Sequence, residues 1–273
     1  MIVVTGATGN VGKPLVAALV DAGQQVTAVA RGDVPEQPGV RAVRADLADA
    51  GAMRAALTGA DALFLLTSGD FLGRGGDLGP VLDAAKAARV RRVVLLSSQG
   101  VGTQRHPAHL EDAVTGSGLE WVVLRPGNFA SNTLAWAEHV RAHRRVEAPF
   151  GDVALPVIDP VDIAEVAAAA LTGDGHAGST YVLTGPTPIS PRGQADTIAE
   201  ALGEAVGFRE LTREEARERM VRFMPPPVVE STLDILGAPK PDEQRVSPDV
   251  ERVLGKAPRP YADWVKRSLA AFA

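Results

Sequence analysis

Short apolar runs alternate with alanine-rich helical stretches, and a glycine-rich turn directly follows the first run. Together these observations predict an α/β fold: a doubly wound parallel sheet of the Rossmann type with a small, mostly helical C-terminal lobe. The runs are four to six residues of mainly Val, Leu and Ile, a length and composition suited to strands buried on both faces. Strict alternation with helices implies crossover connections between parallel strands.

The first strand is expected at Ile2–Thr5, followed by a helix at Gly12–Ala22. Strands at Gln25–Ala30 and Val40–Arg44 come next, then a helix at Asp49–Leu57. The strand Ala62–Thr67, the helix Leu78–Ala88, the strand Arg92–Ser97, the helix Ala108–Thr115 and the strand Glu120–Leu124 complete the regular pattern. After Pro126 it changes. Residues Asn128–His143 read as one helix with Phe129, Asn132, Trp136 and Val140 near one face. Pro149–Pro156 reads as a loop, Asp159–Leu171 as a very apolar helix and Ser179–Thr184 as a further strand. The tail beyond Pro186 carries helix-start signals. Ser190 before Pro191 is an N-cap followed by an N1 proline, and Ser247 before Pro248 repeats that device. Thr212 with Glu215 has the spacing of a capping box.

Composition narrows the function classes. The 273 residues are 45% apolar and carry a formal net charge of −5, with no basic stripe. A phosphate backbone needs clustered Lys and Arg, so nucleic acid is not an expected partner. The chain has no cysteine, which excludes disulfides, thiolate catalysis and cysteine-ligated metal clusters. It enters a strand at once (MIVVTG), and no stretch approaches the ~18 apolar residues of a membrane span. A cytoplasmic protein without membrane contact, monomeric or homodimeric, is the expectation.

The turn Thr5-Gly6-Ala7-Thr8-Gly9-Asn10-Val11-Gly12 follows a strand and opens a helix, the context a dinucleotide-binding motif requires. Gly6 permits the tight turn, Gly9 lets backbone approach a pyrophosphate, and Gly12 lets helix and strand pack closely. The helix start then offers N–H groups and a positive dipole end, with Val11 at its threshold. Thr8 and Asn10 can add side-chain hydrogen bonds. Arg31, at the end of the second strand, faces the expected adenosine ribose. An arginine there can pair with a 2′-phosphate, which favours NADP(H) while leaving NAD(H) possible. Asp33, two residues on, is the alternative partner for the ribose. Asp46 and Leu47, past the third strand, are placed to meet the adenine. A capping role for Asp46 or Asp49 is the competing reading.

These residues resemble the NmrA-like NAD(P)H-binding branch of the atypical short-chain dehydrogenase/reductase superfamily. Besides TGATGNVG, the resemblance rests on Leu95-Leu96-Ser97-Ser98, Glu111, Ser117-Gly118-Leu119-Glu120-Trp121, Leu124-Arg125-Pro126-Gly127-Asn128-Phe129 and Asn132. It continues through Asp159, Asp162-Ile163-Ala164, Tyr181-Val182-Leu183-Thr184-Gly185 and the closing Ala257-Pro258-Arg259-Pro260-Tyr261-Ala262-Asp263-Trp264, and so covers nearly the whole chain. It implies that Thr67 and Ser68 lie along the cofactor, with Ser97 and Ser98 near the nicotinamide. Pro126, Gly127 and Phe129 would border the nicotinamide and substrate pocket. The expected division is residues 1–150 as the NAD(P)-binding part, 151–185 as a helix and strand returning to the core, and 186–273 as the substrate-side lobe.

One departure matters for chemistry. Most short-chain dehydrogenases pair a Tyr with a Lys four residues later. This chain has two tyrosines, Tyr181 and Tyr261, and the residues four later are Gly185 and Val265. Ser98, His106 and His109 are the candidate replacements, because a hydroxyl can bond a carbonyl oxygen and a histidine titrates near neutrality. For each histidine a surface or helix-start position is the competing reading. Gln99 could polarise a carbonyl. Gln99, Asn128, Phe129, Asn132 and Trp136 are the candidate pocket lining, although Phe129, Asn132 and Trp136 read equally well as helix packing. Met224-Pro225-Pro226-Pro227 is either a pocket lid or a helix start. His139 and His143 have i, i+4 spacing, but Arg141, Arg144 and Arg145 surround them, so no metal is expected. The function expected is hydride transfer from NADP(H) to a quinone, ketone or similar small carbonyl compound. The rival is a non-catalytic NADP(H)-binding redox sensor.

Overall fold

The computed structural model describes residues 1–35 and 37–273. Seven strands form one sheet: β1 (Ile2–Thr5), β2 (Val26–Ala30), β3 (Val40–Arg44), β4 (Ala62–Leu66), β5 (Arg92–Leu96), β6 (Glu120–Pro126) and, beyond the small-sheet strand β7 (Arg145–Pro149), β8 (Ser179–Leu183). Their order is β3-β2-β1-β4-β5-β6-β8, and every pairing is parallel. Successive residues point to opposite faces. Val4, Phe64 and Val94 thus pack with Leu15, Leu19, Ile163 and Ala167 from the helices Gly12–Asp21 and Pro160–Thr172. Val3, Leu63 and Val93 pack on the other face with Met53, Val81 and Val114 from three further helices. The sheet is covered on both sides, which is why its central strands are almost entirely apolar.

The regular pattern forms where the sequence places it, within a residue or two at most ends. The stretch 128–143 is different. Phe129 is extended (φ −82°, ψ 136°) and bridges Ile158. The Ala130 N–H donates to the Ile158 carbonyl at 2.9 Å, and the Ile158 N–H donates to the Asn128 carbonyl at 2.8 Å. These bonds occupy backbone that a helix would need. The chain then makes a 3₁₀ segment, Ala130–Trp136, and an α-helix, Ala137–His143. The expected stripe is therefore broken: Phe129 packs on the first sheet cluster and Trp136 on a separate C-terminal one.

That third cluster is the core of the lobe. Tyr261 stacks on Trp264 at 5.6 Å between ring centroids, and both pack with Val146, Ala148, Ile198 and Phe272. A two-stranded parallel sheet that the sequence did not suggest joins β7 to β9 (Gly207–Leu211). Both strands carry charged residues, and their partners lie about sixty positions apart. Two of the tail's helix-start signals form as read, whereas at Ser247-Pro248 the proline itself is the N-cap of the helix Asp249–Leu254 and Ser247 lies one residue before it. Ser190 accepts from the Gly193 N–H at 3.2 Å, and Thr212 and Glu215 form the reciprocal capping box. The Ser247 hydroxyl accepts the Asp249 N–H at 3.2 Å. Ion pairs fasten the C-terminus to the helix Pro160–Thr172: Arg259 binds Asp162 and Glu165, and Arg267 binds Asp159. Among the described residues no helix is long and apolar enough to cross a membrane.

Candidate functional site

The site lies along the carboxyl ends of the central strands, where the sheet order reverses between β1 and β4. A crevice opens at such a switch point in open α/β sheets. Gly6 takes φ +66°, which favours glycine. A Cβ on Gly12 would sit 2.1 Å from the Gly6 carbonyl oxygen, so only glycine lets the helix begin this close to the turn. The Thr5 hydroxyl ties the turn to β4, donating to the Phe64 carbonyl at 3.1 Å and accepting the Leu66 N–H at 2.8 Å. The following helix has no side-chain cap and no acidic residue in its first turn. Among the described residues, the N–H groups of Asn10, Val11 and Gly12 have no hydrogen-bond partner. They form an open donor site at the positive end of a helix, suited to a pyrophosphate. Thr8 and Gly9 are exposed beside them, and the Asn10 amide donates to the Ser131 hydroxyl at 3.3 Å.

From this turn a cleft of about 350 Å³ runs over Val29 and Ala30 to Arg31, with Asp46, Leu47 and Ser68 on its walls. Its floor is apolar, and Arg31 and Asp46 place one positive and one negative side chain at its far end. Arg31 faces Asp70, with Nη1 2.6 Å from Oδ2. Asp33 is exposed and is not part of the cleft lining. Asp49 takes the capping role, accepting the Gly51 and Ala52 N–H groups at 3.0 Å. Asp46 accepts the Ala48 N–H at 3.0 Å within its turn and also lines the cleft.

Beyond the switch point the carboxyl edge carries the polar groups expected at the reacting end. Strands lie about 4.8 Å apart, so β5 is roughly 10 Å and β6 roughly 14 Å from β1. Thr67 is half-buried, and Ser68 caps a short helix, accepting the Phe71 N–H at 3.2 Å. The Ser97 hydroxyl donates to Glu111 at 2.5 Å. Arg125 grips the same carboxylate with Nε at 3.0 Å and Nη2 at 2.5 Å, and this pairing raises the guanidinium above its ordinary pKa. Buried Glu111 thus locks the ends of β5 and β6 together.

Ser98 and His106 are brought into contact. Ser98 Oγ accepts the Gly100 N–H at 3.1 Å and lies 3.2 Å from His106 Nδ1. The imidazole packs over Gly100, where a Cβ would approach Nδ1 to 2.5 Å. Burial lowers the His106 pKa below the ordinary value, and the Glu243 carboxylate pulls it back in part. His109 is not in this pair; it is exposed at the first position of its own helix. Gln99 donates to the Asp242 carbonyl at 3.0 Å, and its Oε1 packs on Gly127. Pro126 ends β6 in a buried position, and the Gly127 N–H donates to the Leu183 carbonyl at 2.9 Å. Asn132 donates to Asn128 at 2.7 Å on an exposed surface. Both tyrosines are engaged elsewhere. His176 Nδ1 is 2.9 Å from the Tyr181 hydroxyl, and buried Tyr261 donates to Thr133 at 2.9 Å, with its phenol pKa pushed well up by burial.

Sequence reasoning missed the strap that holds this loop. Buried Glu243 accepts from Thr103 Oγ1 at 2.7 Å, Arg105 Nε at 3.2 Å and its own Lys240 N–H at 2.7 Å. Lys240-Pro241 followed by Glu243 is a helix-start pattern, but nothing local says which loop it will meet. The Met224-Pro225-Pro226-Pro227 run starts the helix Pro226–Gly237, and Pro225 lies 3.9 Å from where a Cβ on Gly73 would be. The His139 and His143 rings lie 4.6 Å apart, tilted by 59° to each other, and His139 Nε2 lies 3.7 Å from Glu147, whose carboxylate already binds Arg219 and Arg209.

A family model described as NAD(P)H-binding matches residues 6–174. The (4-alkanoyl-5-oxo-2,5-dihydrofuran-3-yl)methyl phosphate reductase of Streptomyces griseus is 38% identical over 286 residues, spanning 100% of this chain and 99% of that protein. The NADPH-dependent quinone oxidoreductase QOR2 of Escherichia coli, solved with NADPH, superposes with a TM-score of 0.78 at 25% identity, covering 98% of this chain and 99% of that one. The transcriptional regulator NmrA shares the fold with a TM-score of 0.74 at 19% identity, covering 98% and 95% of the two chains.

Proposed function

The chain belongs to the NAD(P)H-binding family, and on that premise we propose that it is an NADPH-dependent reductase. It passes hydride to a quinone, ketone or similar small carbonyl compound of the cytoplasm, without a Tyr–Lys pair. Bound NADPH supplies the hydride; the protein supplies position and a sheltered pocket. The turn from Gly6 to Gly12 and the open N–H groups after it hold the pyrophosphate. Arg31 takes the 2′-phosphate. Ser98 and Gly127, on the ends of adjacent strands, border the reacting centre.

The observation that carries this reading is the Ser98–His106 contact at the end of β5, in a chain whose two tyrosines are bonded elsewhere. Ser98 donates its hydroxyl proton toward the oxygen on which charge develops, and His106 holds that hydroxyl in place. Burial keeps His106 neutral near pH 7, so the pair is a hydrogen-bonding group rather than a strong acid. That suffices for an acceptor whose reduced form is a delocalised oxyanion, such as a phenolate, since little proton transfer is then needed in the transition state.

The test is NADPH consumption against a panel of quinones and aromatic ketones, with NADH in parallel. Turnover favouring NADPH and electron-poor acceptors is expected. Tight NADPH binding with no turnover on any acceptor would instead favour the sensor reading, to which the missing Tyr–Lys pair also points.

A further inference from the structure

Two ion pairs lie at the Arg31 end of the cleft, each joining a residue of its lining, Arg31 or Asp46, to a residue outside it. Arg31 Nη1 lies 2.6 Å from Asp70 Oδ2, and Arg74 Nη2 lies 3.9 Å from Asp46 Oδ2. Arg31 and Asp46 follow the ends of β2 and β3. Asp70 and Arg74 belong to the helix Gly69–Gly73 and its C-cap, and Arg74 Nε also donates to the Asp70 carbonyl at 3.2 Å. The side chains of Arg31 and Asp70 are 56% and 67% exposed, so their pair is screened by water and exchanges readily. The hydrogen bond from Arg31 holds the Asp70 carboxyl below its ordinary range, so it is charged at neutral pH. A carboxylate offers one charge and two oxygens. A phosphate monoester offers about −1.5 to −2 charges and three oxygens, and arginine favours it accordingly.

We propose that Asp70 is a built-in competitor for the 2′-phosphate of NADP(H), and that Arg74 is a second ligand for that phosphate. When the phosphate arrives, Arg31 exchanges Asp70 for it. Arg74 takes up the same group and offsets Asp46, whose charge would otherwise repel it. The uncharged 2′-hydroxyl of NADH cannot drive the exchange and leaves the Arg31–Asp70 pair intact. Discrimination between the two cofactors then belongs to three residues rather than to Arg31 alone. The proposal rests on the NADPH reading above and deepens it.

The test is calorimetric titration of wild type, Asp70→Asn and Arg74→Gln with NADPH, NADH, 2′,5′-ADP and 5′-AMP. Asp70→Asn is expected to tighten NADPH and 2′,5′-ADP by roughly 2- to 5-fold and to leave NADH and 5′-AMP unchanged. Arg74→Gln is expected to weaken the two 2′-phosphorylated ligands by roughly 3- to 10-fold, again sparing the others. Unchanged 5′-AMP affinity shows that the cleft is folded in each variant. An equal effect of Asp70→Asn on all four ligands, no effect, or weaker NADPH binding would overturn the competition. An unaffected Arg74→Gln would remove Arg74 from the site. If wild type turns over no acceptor but the exchange behaves as stated, the reductase reading fails alone. If wild type binds NADPH and NADH equally, the exchange fails while a reductase using either cofactor stands.

Discussion

Arg31 shows how one side chain can be read from sequence in kind but not in state. Its position after β2 leads to the expectation of a 2′-phosphate partner; its engagement with Asp70 appears only once the fold brings a helix 39 residues away to it. Arg31→Ala is expected to weaken NADPH binding by about 10-fold while leaving NADH within about 2-fold, measured by fluorescence titration. At the reacting end, Ser98→Ala is expected to lower kcat by roughly 10- to 100-fold with the Kd for NADPH unchanged. His109→Ala, outside the pair, should leave both parameters alone. His106 also gives a pH signature. Burial lowers its pKa in the folded chain, so the unfolded chain takes up the proton first as pH falls through the ordinary imidazole range. The stability present above that range is lost as pH falls toward the folded value. Thermal melts from pH 7.5 to 5 should therefore fall less steeply for His106→Asn than for wild type.

At the scale of elements, the glycine-rich turn and the helix after it are set by local sterics, which is why the sequence pattern finds them. Gly12→Ala would drive a Cβ to 2.1 Å from the Gly6 carbonyl oxygen, and the helix must shift away from the turn. Loss of dinucleotide binding with the sheet retained is the expected outcome, read by titration alongside far-UV circular dichroism. The stretch 128–143 is the opposite case. Its apolar spacing suits a helix, yet Ile158 recruits the backbone of Asn128 and Ala130, and the 3₁₀ segment follows. Phe129 and Trp136, neighbours on a helical wheel, end in different clusters for that reason. The pairing of β7 with β9 was illegible for a related reason. Charged residues obscure the strand pattern, and the partner segments are far apart in the chain.

At the scale of the whole molecule, the tail is held to the helix Pro160–Thr172 by charges buried on one side only. Asp162 is fully buried and depends on Arg259, while Asp159 depends on Arg267. Removing one partner leaves an uncompensated buried carboxylate, so Arg259→Ala is expected to cost about 3 kcal/mol. At roughly 2–4 °C per kcal/mol for a chain near this size, calorimetry should show a fall in Tm of about 6–12 °C. Glu243 plays a similar part nearer the site, where the tail grips the loop carrying Ser98 and His106. The sequence by itself determined the strands of the main sheet, the glycine-rich turn and most of the helix starts, because each follows from contacts within a few residues: burial period, glycine sterics and capping. Only the tertiary structure decided which groups meet across the site: Asp70 with Arg31, His106 rather than His109 with Ser98, and Glu243 with the loop at 103–105. Those contacts join residues made neighbours by strand order and lobe packing, and no local pattern encodes the partner of a long-range bond.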